Sequence, residues 1–285
     1  MPVEALYYKK ENDLAVQCQL CPHHCHIQNG KTGFCRTRKN EGGTLLALNY
    51  GQCTALALDP VEKKPLYHFH PGSQILSAGS WGCNLTCSFC QNWHISQGSP
   101  PWQELPPRKA AELARSLQER GNIGLAYTYN EPSVTYEWIY ETAPLIHEAG
   151  LSNVMVTNGY IEETPLQSLL PYIDAWNIDL KSWNDDFYRQ ICQGTISPVL
   201  RTIEKAVAVS HVEITCLILP GINDSPDDMD SLASWLASIR PDIPLHITRY
   251  FPRYHCTLPP TPVETLKMLQ RTAGQYISHV YVGNV

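Results

Sequence analysis

Long apolar runs are missing from this chain. No stretch approaches the roughly 18 consecutive apolar residues of a membrane-spanning helix, and the first ten residues, Met-Pro-Val-Glu-Ala-Leu-Tyr-Tyr-Lys-Lys, hold no signal-like core. The expectation is a cytoplasmic protein with no membrane partner. Basic runs are missing too: 21 Lys and Arg stand against 27 Asp and Glu, a net charge of −6, which argues against a nucleic-acid surface. Charged residues make up only 17% and hydrophobic residues 43%, so the 285 residues fit a globular chain with one large domain, or a core with a small addition.

Cysteine, by contrast, is plentiful. Eleven cysteines in a reducing compartment point to metal binding rather than to disulfides. Seven lie in two local clusters, and the other four, Cys53, Cys192, Cys216 and Cys256, are scattered and read as small buried side chains.

The second cluster organises the chain. From Gly79 to Trp93 the sequence runs Gly-Ser-Trp-Gly-Cys83-Asn-Leu-Thr-Cys87-Ser-Phe89-Cys90-Gln-Asn-Trp, directly after an apolar run that reads as a strand. Closed zinc sites come mostly as two cysteine pairs with four ligands, so the bland reading of a zinc knuckle or of plain buried thiols fits poorly. A [4Fe–4S] cluster normally takes four cysteines, and three leave one iron open to a ligand that is not protein. Gly79 and Gly82 are expected to supply the positive φ of a tight wrap.

The first cluster is Cys18, Cys21, Cys25 and Cys35, spaced C-x2-C-x3-C-x9-C. Its surroundings are poor in apolar residues, so a bound metal, zinc or a second iron–sulfur cluster, is expected to stabilise it. His23, His24 and His26 are alternative ligands. The runs 44–51 and 54–58 read as a hairpin joining this segment to the core. His68 and His70 alternate with aromatics and read as structural.

From residue 71 onward strands and helices alternate. Strands are expected at 74–78, 123–127, 153–157, 175–180, 212–219 and 245–249, with helical spacing between them and Pro107, Pro198 and Pro262 at helix starts. This alternation predicts an α/β fold, a parallel sheet forming a partial (β/α)6 barrel over 71–285, behind a cysteine-rich segment over 1–70. Active sites of such barrels lie at the C-terminal strand ends, where this chain places Thr128–Pro132, Asn158–Gly159, Asp179, Lys181, Asn223 and Arg253.

The C-x3-C-x-aromatic-C loop resembles the radical SAM superfamily. The match extends through Cys18-x2-Cys-Pro-His-x-Cys25, Glu62-Lys-Lys-Pro-Leu-Tyr-His-Phe69, Tyr129-Asn-Glu-Pro132, Val156-Thr-Asn-Gly-Tyr160, Asp179-Leu-Lys181 and Leu219-Pro-Gly-Ile-Asn-Asp-Ser225. Together these resemble the radical SAM enzymes of the AmmeMemoRadiSam system, relatives of the pyruvate formate-lyase activating enzymes. The resemblance implies that Cys83, Cys87 and Cys90 hold a [4Fe–4S] cluster and that Phe89 lies near the adenine of S-adenosylmethionine. It further implies that Glu131 meets the amino group of S-adenosylmethionine. Asn158 and Gly159 would then lie near its ribose or carboxylate, and Asp179 and Lys181 further round the mouth.

The implied activity is reductive cleavage of S-adenosylmethionine to a 5′-deoxyadenosyl radical that takes hydrogen from a small-molecule or protein substrate. Implied partners are a reductant such as flavodoxin or ferredoxin and a Memo-type protein. Two other readings stand beside it: an activase for a glycyl-radical enzyme, and a non-catalytic iron–sulfur electron carrier or redox sensor.

Overall fold

Strands of a parallel sheet covered by helices are buried on both faces and read as unbroken apolar runs. The six runs named above do form strands. A computed structural model describes residues 2–285, and its central sheet has eight strands in sequential order: β1 (Ala55–Pro60), β2 (Gln74–Gly79), β3 (Asn122–Tyr127), β4 (Ser152–Thr157), β5 (Ala175–Asp179), β6 (His211–Ile218), β7 (Leu245–Arg249) and β8 (Val280–Gly283). From β2 to β8 every pairing is parallel; β1 runs antiparallel to β2.

One main helix follows each of the strands β2 to β7: α1 (Pro107–Ser116), α2 (Tyr136–Glu148), α3 (Glu163–Leu169), α4 (Ser197–Val207), α5 (Pro226–Ile239) and α6 (Val263–Ala273). The sheet therefore holds six β/α units and ends on β8. β1 and β8 do not pair with each other, so the barrel stays partial. Pro107 and Pro198 occupy first-turn positions as expected, whereas Pro262 is the residue before α6 rather than inside it. Among the described residues no helix is long and apolar enough to cross a membrane.

The expected hairpin between 44–51 and 54–58 does not form. Gly42 and Gly43 both take positive φ (62° and 85°), which makes a two-residue turn and folds Thr44–Ala47 back onto Arg38–Glu41. The run after Thr54 instead pairs along the whole length of β2, from Ala55 opposite Gly79 to Pro60 opposite Gln74. Residues before 71 thus supply an edge strand of the central sheet.

The rest of the N-terminal segment forms two small three-stranded sheets and one short strand, Gln52–Cys53, that pairs with Gln103–Glu104, and it is fastened to the barrel by a buried ion pair. Arg38 Nη1 donates to Glu137 Oε2 at 2.7 Å, and Glu137 Oε1 accepts the Leu6 N–H at 3.0 Å. Both charged side chains are almost fully buried. Removing one partner strands the other in a low-dielectric interior. Glu137→Ala is therefore expected to lower unfolding free energy by about 3–5 kcal/mol in urea denaturation. A change below about 1 kcal/mol, the scale of an exposed pair, would show that this pair does not fasten the segment.

Candidate active site

The loop after β2 has little regular structure; neighbouring elements hold it by hydrogen bonds. Asn130, just beyond β3, accepts the Ser80 N–H at 2.8 Å and donates to the Gly82 carbonyl at 3.1 Å. Asn84 donates to the Tyr160 carbonyl at 2.6 Å, and Asn158, just beyond β4, donates to Asn84 Oδ1 at 2.9 Å. The Leu85 carbonyl accepts from Gln97 at 2.9 Å, and the Ser88 carbonyl accepts the His255 N–H at 2.9 Å.

Gly82 takes φ +87°, and a Cβ there would stand 2.3 Å from Thr37 Cγ2, so only glycine lets the N-terminal segment pack so closely. Gly79 does not take positive φ. Its need is space: a Cβ would lie 2.9 Å from the Thr128 carbonyl oxygen.

Cys83, Cys87 and Cys90 all line one cavity of about 590 Å³ at the C-terminal strand ends, a volume in the range of small-molecule sites. Phe89, Glu131, Asn158, Asp179 and Lys181 line the same cavity. Every cysteine of the chain is a free thiol. Burial pushes the Cys83 and Cys90 thiols up. Cys87 behaves oppositely: the neighbouring Cys192, working against burial and helped by the Lys181 ammonium, holds it below the ordinary thiol range.

Glu131 has two jobs in this geometry. Its Oε1 accepts the Ser133 N–H at 3.0 Å and the Thr157 hydroxyl at 2.7 Å, and its Oε2 accepts the Asn158 N–H at 2.8 Å. It thereby caps the 3-10 turn Pro132–Thr135 and ties the ends of β3 and β4 together. Burial pushes its carboxyl up, and these donors pull it back. Among the described residues Oε2 accepts this one hydrogen bond, which leaves it a second lone pair, and Glu131 lines the cavity.

Asn158 Nδ2 also points toward Cys83 Sγ at 3.7 Å, so this amide supports the cysteine loop. Lys181 pairs with Asp179 at 2.8 Å. Phe89 packs against Phe187 with ring centroids 6.0 Å apart. Gly159 does not reach the cavity: it turns away with φ +69°, its carbonyl accepts the Thr202 hydroxyl at 2.8 Å, and a Cβ would meet Ile178 at 3.0 Å. Its requirement is packing against α4.

Two parts of the cavity went unread in the sequence. Lys64 is buried in its wall, paired with Asp59 at 2.8 Å and lying over the Tyr129 ring. Burial opposes the Asp59 charge, but bonds from Lys64 and Tyr129 hold its carboxyl at about 2. His246 lines the cavity as well and donates to the buried Glu213, which also accepts the Tyr67 and His68 N–H groups. The Glu62–Phe69 run quoted above was the available signal.

Cys18, Cys21, Cys25 and Cys35 line a separate, small cavity beside Arg38. The histidines are engaged elsewhere: His23 with the Asn84 carbonyl at 2.7 Å, His24 with Glu162 at 3.0 Å and His26 with Glu11 at 3.0 Å. Among the described residues no group of three or more His, Cys, Asp or Glu is arranged for a single metal ion. A lone ion needs all its ligands within about 2.3 Å of one point, whereas each cysteine of a cluster site meets its own iron.

The radical SAM superfamily profile matches residues 80–236, from the start of the cysteine loop through most of α5. The chain belongs to the radical SAM superfamily. An uncharacterized protein of Methanocaldococcus jannaschii, MJ0808, is 44% identical over 99% of this chain and 85% of its own length. Among solved structures, a radical SAM methyltransferase from Sphaerobacter thermophilus is similar over 99% of this chain and 76% of its own, with TM-score 0.60 and 15% identity. A domain of a pyruvate-formate lyase-activating enzyme from Bacteroides vulgatus is similar over 56% of this chain and 99% of its own, with TM-score 0.50 and 18% identity. At such identities the structures speak for the fold alone.

Membership of this superfamily implies a [4Fe–4S] cluster and S-adenosylmethionine. The donor set fits: three free thiols open on a cavity that also holds a carboxylate with a spare lone pair. Glu131→Gln keeps the side-chain volume and removes the charge that would meet an ammonium. It is expected to weaken S-adenosylmethionine binding by about tenfold or more at unchanged iron content, as a charge-assisted bond requires. Equal affinity in a binding titration would reject that role.

Proposed function

We propose that this chain cleaves S-adenosylmethionine reductively and takes hydrogen from a substrate through the radical released. On this reading Cys83, Cys87 and Cys90 hold the cluster, and the observation that carries it is their convergence with Glu131 on one cavity at the strand ends. The cluster, when bound, supplies the electron for that cleavage, delivered by a flavodoxin- or ferredoxin-type reductant. The chain's own residues do the rest. Asn130, Asn84 and Asn158 fix the loop, Glu131 offers a carboxylate to an ammonium, and the buried wall around Phe89 keeps water from a reactive radical.

The substrate is a small molecule or a protein handled with a Memo-type partner, in keeping with the motif resemblance to the AmmeMemoRadiSam enzymes. One observation favours the activase reading beside it. The cavity lining includes Gly283 and Asn284 at the end of β8, so it reaches the unpaired edge of that strand, where a peptide loop could enter. The same reading puts a second metal at Cys18, Cys21, Cys25 and Cys35, supported by their sharing one cavity, and the lack of a single-ion arrangement among the described residues favours a cluster over zinc there. Elemental analysis of Cys21→Ser together with Cys35→Ser should show less zinc or iron than the parent protein; equal content removes this site.

Anaerobically reconstituted protein, given S-adenosylmethionine and a strong reductant, is expected to release 5′-deoxyadenosine slowly even without substrate. The Cys87→Ala variant should release none. Equal product from both, or none from a parent protein carrying its full cluster, would count against the reading.

A further inference from the structure

The run Glu62–Phe69 carries part of the motif resemblance, yet neither the cysteine loop nor Glu131 gives it a task. The structure lays it across the base of the cavity. Asn177 on β5 donates to the Pro65 carbonyl at 2.8 Å, and Glu213 on β6 accepts the Tyr67 and His68 N–H groups at 3.0 and 2.7 Å. Glu213 stands two residues before Thr215, which lines the cavity, so the run passes beneath it. The Tyr67 ring then meets Tyr281 on β8 with centroids 4.9 Å apart. This crossing sets two side chains of the cavity wall: Lys64, on the run itself, and His246 on β7, whose ring lies 4.7 Å from that of Tyr67. Three residues of chain span at most about 11 Å, so both stand within reach of one small molecule.

Lys64 is a buried cation with donors to spare. Its side chain is 4% exposed, and among the described residues its Nζ makes one hydrogen bond, to Asp59 at 2.8 Å, of the three an ammonium can donate. Asp59 is shared: the same carboxylate accepts from Lys63 at 3.3 Å and from the Tyr129 hydroxyl at 2.8 Å. Burial holds the Lys64 ammonium below the ordinary lysine range, and Asp59 restores only part of the difference. Glu62, the acidic residue of this part of the wall, is turned to the Gly72 N–H at 2.6 Å. His246 is 3% exposed, and Glu213 takes its Nε2 at 2.7 Å. That leaves Nδ1 as the ring nitrogen without a partner among the described residues.

The charges at the cysteine end are already matched, since Lys181 pairs with Asp179 and Glu131 is kept for an ammonium. We propose that the base of the cavity anchors a carboxylate or phosphate group of a small-molecule substrate, with Lys64 as its charged partner and His246 Nδ1 as a second polar contact. A charge-assisted bond to a desolvated ammonium is among the strong ones, and the incoming anion offsets the cost of keeping that ammonium buried. No covalent bond forms or breaks here; the group is held while the rest of the molecule extends toward the cysteine loop. The inference deepens the function proposed above and rests on it for calling the ligand a substrate.

The test is binding of inorganic phosphate and of carbon-13 succinate to reconstituted protein saturated with S-adenosylmethionine, read by line broadening of each probe in nuclear magnetic resonance, with glycerol as the uncharged control. The parent should bind at least one anion saturably and glycerol not at all, and which anion binds tells phosphate from carboxylate. Lys64→Met should weaken that binding about tenfold or more, as loss of a charge-assisted bond requires, and Lys64→Arg should keep most of it. His246→Gln leaves the Lys64–Asp59 pair intact and should weaken binding several-fold. No saturable anion binding by the parent, or equal affinity in Lys64→Met, overturns the site; should Lys64→Met not fold, equal affinity in His246→Gln overturns the two-contact site by itself. A matching loss of S-adenosylmethionine affinity in Lys64→Met also overturns it, since the lysine would then serve the cofactor. A parent protein that binds the anion yet releases no 5′-deoxyadenosine leaves the site standing and overturns the radical reading instead.

Discussion

The cysteine loop must hold an irregular backbone in place beside a cavity, and buried backbone groups cannot be left without partners. Every neighbouring element answers to that constraint. Asn130 and Asn158 reach in from the ends of β3 and β4, His23 from the N-terminal segment, Cys192 from the short π-turn Tyr188–Cys192 and His255 from beyond β7. Asn92, at the far end of the loop, donates to the Tyr129 carbonyl at 2.8 Å, and Tyr129 holds a positive φ of 73° there. A non-glycine residue in that region persists only when its surroundings determine it. Protein hydrogen bonds from all of these elements hold the loop, so the positions of its thiols depend on the fold around them.

This gives the small N-terminal segment a part in the site. Arg38 and Glu137 fasten it to α2, Thr37 fills the space over Gly82, and His23 holds the carbonyl of Asn84, the residue after Cys83. A disturbance in the first cysteine cluster would thus be felt at the second through packing, with no ligand shared between them.

The six central strands were legible because strands buried on both faces leave unbroken apolar runs in the sequence. The edges were not. β8 is short and paired on one side only, and the turn at Gly42 and Gly43 took the partner, Thr44–Ala47, that the run from Thr54 was expected to use. In the site, residues carried by local spacing were legible: three cysteines within eight residues, Glu131 before Pro132, Asp179 near Lys181. Contacts across long sequence separation were not. Nothing near Cys192 in the chain announces that its carbonyl accepts the Thr86 N–H, and nothing near Gly159 shows that α4 rather than a ligand lies against it. Glu131 was legible in kind, yet its three protein donors emerge only when β3 and β4 are set side by side.

The account's central claim is that the three-cysteine loop leaves one iron open to S-adenosylmethionine. Electron–nuclear double resonance on the reduced protein, with S-adenosylmethionine carrying nitrogen-15 at its amino group, tests this most directly. The account predicts a hyperfine coupling between that nitrogen and the cluster, lost in Cys87→Ala together with the cluster signal. A fully reduced cluster with S-adenosylmethionine bound and no such coupling would contradict it, and would leave the loop as the holder of an electron-transfer centre.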